Sequence, residues 1–134
     1  MDTSIWSLLF RRSTTDGELP VVKELRALIA EFRVALLGTV RQELLSGIRQ
    51  EEQFVNLRSR LRAFPDEQLT SEDYELAAEF FTRCRMQGIQ GSNTDFLLCA
   101  ASVRRGMPLF TADLDFELYA KQLPIQLHRV REPE

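Results

Sequence analysis

Three short apolar runs set among long amphipathic stretches constrain this chain more than any other feature. Val34 to Gly38, Pro108 to Thr111 and Ile125 to Val130 are each too short for a helix and read as strands. The segments around them repeat their apolar residues at helical spacing. Short strands alternating with helices predict a parallel sheet with helices on both faces, so the fold class is α/β. Neither an internal repeat nor a low-complexity linker interrupts the pattern, and residues 1–134 read as a single domain.

Local signals set the expected boundaries. Pro20 opens a helix that runs to Phe32 through Val21, Val22, Leu25, Leu28 and Ile29. After the strand at 34–38, Thr39 is the expected N-cap of a helix beginning near Val40. Gln42 completes a capping box there, and Glu43 falls in the first turn. A helix from Glu51 to about Ala63 follows, then an edge strand around Gln68 to Thr70. Thr70 or Ser71 caps a long helix closed by Gly88. Ser92 or Asn93 caps a strongly apolar helix from about Thr94 to Arg105, ended by Gly106. Leu114 to Lys121 reads as a short helix before the last strand.

Several classes are excluded. The longest apolar run, Phe96 to Val103, is far short of the 18 or so residues of a membrane span. Met1 is followed directly by Asp2, with no basic and then apolar leader, so a cytoplasmic protein without membrane association is expected. Cys84 and Cys99 lack metal-ligand spacing and make no disulfide framework. Net charge is −3, from 17 cations and 20 anions, yet 15 of the cations are Arg, whose planar fork suits phosphate. Charge alone leaves nucleic acid open as a partner.

Open α/β sheets bind ligands at the carboxyl ends of their strands, so the polar groups there carry the most information. Asp2 stands at the start of the chain, Glu43 follows the strand at 34–38, and Asp113 follows the strand at 108–111. Asp95 opens the apolar helix that feeds that strand, and Asp115 lies two residues past Asp113. Each also has a plainer reading, as a surface residue or a first-turn acid favoured by the helix dipole. Convergence would be costly. Two like charges about 4 Å apart repel by about 1 kcal/mol in water and about 4 kcal/mol at an effective dielectric of 20. A converged site would therefore protonate or take up cations, and hard oxygen ligands without His or Cys select Mg²⁺ or Mn²⁺. Such a site suits metal-assisted phosphodiester hydrolysis.

Four segments carry a resemblance. They are Asp2-Thr3-Ser4-Ile5-Trp6, Thr39-Val40-Arg41-Gln42-Glu43-Leu44-Leu45-Ser46-Gly47, Asn93-Thr94-Asp95-Phe96-Leu97-Leu98-Cys99-Ala100-Ala101 and Leu109-Phe110-Thr111-Ala112-Asp113-Leu114-Asp115-Phe116. In this order, over essentially the whole chain, they resemble PIN domains and are most similar to the toxin subunit of VapBC toxin–antitoxin pairs. The resemblance implies a three-layer α/β/α fold with a short central parallel sheet. It implies a Mg²⁺- or Mn²⁺-dependent endoribonuclease that hydrolyses RNA, is inhibited by a cognate antitoxin and forms a homodimer. The family's acids carry over to Asp2, Glu43, Asp95 and Asp113, as catalytic and metal-binding residues. Asp115 matches a further polar position of lower rank. Ser4 matches the small hydroxyl residue beside the first acid, and Thr111 the hydroxyl residue before the fourth. Setting the four acids aside leaves 17 cations against 16 anions.

The family has a central strand before its first acid, and here only Met1 precedes Asp2. The expectation is a truncated first strand, arising from a start that lies upstream or from a shortened chain of weak activity. The competing function is accordingly a PIN-like RNA- or protein-binding module without turnover. Receiver and haloacid-dehalogenase-type phosphatase readings fit poorly. Asp2 lacks a second Asp two residues on, and neither Lys23 nor Lys121 follows a late strand. His128, Cys84, Cys99 and Trp6 are expected to be structural, as are Tyr74, Leu76, Phe80 and Phe81 along one long helix. Arg11-Arg12 and Arg104-Arg105 are read as solvated helix ends.

Overall fold

Leu36 and Asp66 form a parallel bridge, closed by the Glu67 N–H donating to the Leu36 carbonyl at 2.8 Å. A second parallel bridge joins Leu109 to Leu127. There the Leu109 N–H donates to the Gln126 carbonyl at 2.8 Å and the His128 N–H to the Leu109 carbonyl at 2.6 Å. The computed structural model describes Trp6, Lys23, Glu24, Ala27, Leu28 and residues 34–111 and 113–128. Among these the helices with defined bounds are α1 (Gly38–Leu45), α2 (Glu51–Leu61), α3 (Ser71–Met86), α4 (Asn93–Arg105) and α5 (Asp115–Ala120). Lys23, Glu24, Ala27 and Leu28 are also helical, and the rest of the helix expected over 20–32 lies outside the described residues.

The chain divides into two compact units, with the boundary after Glu67. In the first, the pairing described within the strand expected at 34–38 is at Leu36, and helix α1 already begins at Gly38. Thr39 is therefore not the N-cap. It is a helical residue whose hydroxyl is buried without a hydrogen-bond partner among the described residues, and Leu37 occupies the cap position. Glu43 consequently lies beyond the first turn of α1. Among the described residues the pairing near the edge strand expected at 68–70 falls at Asp66.

Arg41 organises this unit. Its Nη1 donates to the Leu61 carbonyl at 3.1 Å and its Nη2 to the Phe64 carbonyl, which ties it to the backbone where α2 ends. Its Nε also meets Asp66 Oδ1 at 2.7 Å. Asp66 is exposed, so that ion pair contributes under about 1 kcal/mol and the carbonyl contacts matter more. Trp6 is fully buried and packs edge-on against Phe64, with ring centroids 4.8 Å apart.

In the second unit α3 packs against α4. The buried stripe of α3 is Asp73, Ala77, Phe80 and Cys84, the spacing of one helical face. Tyr74 is exposed and falls off that face, correcting the expectation of a continuous aromatic core along the helix. Helix α4 buries every residue from Phe96 to Ser102, so its surroundings cover it all round. Both helices stop at left-handed glycines. Gly88 and Gly106 have φ of 74° and 63°. Each is followed by the same closure, with the Ile89 N–H returning to the Cys84 carbonyl and the Met107 N–H to the Ser102 carbonyl.

Arg104 and Arg105 are not merely solvated helix ends. Both reach Asp73, whose carboxylate is fully buried and also accepts the Thr70 N–H at 2.8 Å. The hydrogen bonds from Arg105, with those from Thr70 and Arg104, hold the Asp73 carboxyl well below the usual range against the opposing effect of burial. Arg11 and Arg12 lie outside the described residues. Cys84 and Cys99 are buried free thiols, and His128 packs edge-on to Phe110 at 5.1 Å, all as expected. Among the described residues no helix is long and apolar enough to cross a membrane.

Candidate active site

Helix α4 starts with a hydroxyl cap: Ser92 Oγ accepts the Asp95 N–H at 3.1 Å. The cap places Asp95 in the first turn, where the helix dipole favours a carboxylate. Asp95 is half-buried, and its Oδ2 accepts a hydrogen bond from the Tyr119 hydroxyl at 2.9 Å. Tyr119 comes from α5 and is itself fully buried, with ring neighbours Phe96 at 5.0 Å and Phe116 at 5.1 Å. The hydroxyl also lies 3.5 Å from the Gln90 carbonyl.

Asp113 is placed by the turn that enters α5. Thr111 Oγ1 accepts the Asp113 N–H at 2.9 Å, and Asp113 Oδ1 accepts the Asp115 N–H at the same distance. The Asp113 carbonyl accepts the Phe116 N–H at 3.2 Å. One carboxylate oxygen of Asp113 thus serves as a turn acceptor, a habit of Asp at helix entries. Asp115 is exposed, at the first position of α5.

Burial dominates the electrostatics at Asp95. Burial pushes the Asp95 carboxyl up and the charge of Asp113 adds to this, while hydrogen bonds from Tyr119 and Ser92 work the other way. Tyr119 is raised strongly, first by burial, then by its bond to Asp95 and by the charges of Asp95, Asp115 and Asp113. It therefore stays protonated and remains the donor. The charges of Asp113 and Asp115 also act on Tyr119, and a divalent cation beside Asp95 would favour its charged form against the effect of burial. The donors are all oxygen, which fits Mg²⁺ or Mn²⁺, ions that use one or two carboxylates and keep several waters.

Asp2, Ser4 and Glu43 are also expected at the site. Asp2 and Ser4 are outside the described residues. Glu43 is exposed on α1, in the first unit. Among the described residues no three His, Cys, Asp or Glu side chains group as a metal site. Sequence reasoning missed Tyr119 as a partner of Asp95. The signal was there in Phe116 and Tyr119, three apart on one helix face, since a buried phenol needs an acceptor and its neighbourhood is acidic.

Comparison with known proteins gives a consistent family. The PIN domain model matches residues 1–122. The chain is 28% identical over 130 residues to "VapC ribonuclease Mb1587" of Mycobacterium bovis, and equally to "Ribonuclease VapC11" of Mycobacterium tuberculosis, with 94% of each chain covered in both cases. Among solved structures it is similar to FitAcB from Neisseria gonorrhoeae, with a TM-score of 0.74 at 18% identity, over 96% of this chain and 94% of that one. That likeness and the family match support a PIN-like α/β fold.

Proposed function

The chain belongs to the PIN domain family, and on that premise we propose that it is a Mg²⁺- or Mn²⁺-dependent endoribonuclease, the cytoplasmic toxin of a type II toxin–antitoxin pair. Residues 1–134 act as one domain in this reading, with a cognate antitoxin as inhibitor and a second copy as homodimer partner. Asp95 and Asp113 would hold the cation together with Asp2 and Glu43, and Asp115 would assist. The observation that carries the reading is Asp95 itself, a half-buried carboxylate whose protonation is favoured by burial and by Asp113. Two relatives that match along nearly their whole length carry ribonuclease in their names, which supports RNA as the substrate.

When bound, the cation supplies charge for the phosphate and its leaving oxygen and makes the attacking water more acidic. The chain's own groups do the placing. Ser92 and Tyr119 fix Asp95, and Thr111 fixes the backbone of Asp113. Ser4 would orient Asp2 in the same manner. Purified protein incubated with an end-labelled RNA pool should cleave it with Mg²⁺ or Mn²⁺, stop in EDTA, and lose at least about a hundredfold in rate as Asp95→Asn, on the scale of about 3 kcal/mol of transition-state stabilisation. Cleavage by Asp95→Asn at the wild-type rate would sink the proposal.

A further inference from the structure

We propose that Tyr119 is a positioning residue of the acid site: its hydroxyl sets the rotation of the Asp95 carboxylate before a cation arrives, and Gly91 exists to let it through. The inference rests on the acid-site reading above and extends it to a residue outside the four acids.

Three observations carry it. The hydroxyl donates to Asp95 Oδ2 at 2.9 Å, whereas its other acceptor, the Gln90 carbonyl, is at 3.5 Å, at the limit of a hydrogen bond. The ring cannot swing away, because it is fully buried between Phe96 and Phe116. Those two neighbours are phenylalanines, so the space alone does not call for a phenol, and burying a hydroxyl there costs free energy unless a partner is supplied.

Gly91 is the third. A Cβ built on it would stand 2.8 Å from Cζ of Tyr119 and 3.0 Å from Cε2 of Phe96, and would meet the hydroxyl oxygen sooner still. Unlike Gly88 and Gly106, Gly91 has no left-handed φ. Its missing side chain answers a need for room, and the room is taken by the phenol. A hydroxyl donated to a ligating carboxylate fixes the direction of its lone pairs, and loss of such a partner typically weakens metal binding about 10–100-fold.

The test uses the full chain and Mn²⁺ or Mg²⁺ alone as the probe. By calorimetry, Tyr119→Phe should bind Mn²⁺ about tenfold more weakly while keeping the wild-type circular dichroism. Gly91→Ala, which crowds the hydroxyl from another residue, should shift affinity in the same direction. Protein labelled with ¹³C at the tyrosine ζ carbon gives two signals, from Tyr119 and from the exposed Tyr74. Saturation with Mg²⁺ should move the Tyr119 signal and leave that of Tyr74 in place. Undiminished affinity in Tyr119→Phe, or a stationary Tyr119 signal while the cation binds, overturns the positioning role and leaves the acid site standing. Wild-type protein that binds neither ion overturns both.

Discussion

Arg105 holds Asp73 with both arms of its guanidinium: Nη1 lies 2.8 Å from Oδ1 and Nη2 lies 3.0 Å from Oδ2. Such a fork ties the last turn of α4 to the first turn of α3 through a carboxylate with no exposed surface. Arg104 meets Asp73 at Oδ1, at 2.8 Å, and Thr70 Oγ1 at 3.0 Å, and its side chain is 36% exposed against 20% for Arg105. Arg105→Ala leaves a buried charge short of its main partner and should cost about 3 kcal/mol. Arg104→Ala should cost about 1 kcal/mol or less. Urea midpoints of the two variants check the order, and equal losses would contradict it.

Asp73 and Asp95 should pull the pH dependence of stability in opposite directions. The folded-state pKa of Asp73 is depressed, so its contribution is complete above the ordinary aspartate value near 4 and is lost as pH falls below it. That of Asp95 is raised, chiefly by burial, so the folded state binds more protons there and its contribution declines as pH rises above about 4. In cation-free buffer, Asp73→Asn should flatten the acid limb of a stability-versus-pH curve. Asp95→Asn should flatten the decline on the other side. Melting temperatures taken from pH 3 to pH 7 separate the two.

Helix ends should be sensitive out of proportion to their area. Gly88 has nothing within 4 Å of a built Cβ, so Gly88→Ala meets no clash and tests the left-handed φ alone. The expected cost is about 1–2 kcal/mol. Gly88→Asn should recover part of it, since Asn tolerates that conformation. Ser92→Ala removes the acceptor for the Asp95 N–H and should cost about 1 kcal/mol. Chemical denaturation of the three variants decides these values.

The two thiols should be silent in the native protein. Burial pushes both Cys84 and Cys99 up, and for Cys99 the nearby Asp95 carboxylate adds to the effect. Ellman's reagent at pH 8 should report close to zero thiols before denaturant and two after it. A fast-reacting thiol in the folded state would show that α3 and α4 open readily at their contact.

Helix type and extent were legible in the sequence wherever a stripe or a cap made them so. The stripe of α3, the serine cap of α4 and the closures at Gly88 and Gly106 follow from residue types acting over four or five positions. What failed depended on distant partners. Thr39 has the chemistry of an N-cap, yet the chain already turns helical at Gly38, after Leu36 pairs with Asp66, and nothing within the segment announces that pairing. Asp73 looks like an ordinary first-turn acid until α4 delivers two guanidinium groups to it. In the candidate site, Asp95 and Asp113 stood out by place and type. Tyr119 did not, because its role is fixed by a residue 24 positions away.

Helix α5 has six residues, no more than half of the roughly 12–15 an isolated helix needs to persist in water. It exists because Phe116 and Tyr119 anchor it in the core beside Phe96. Asp115 is its first residue and its N–H donates to the Asp113 carboxylate, so the aromatic anchor also places the turn that carries both acids. The order of an acidic turn thus depends on two aromatic rings that never touch solvent.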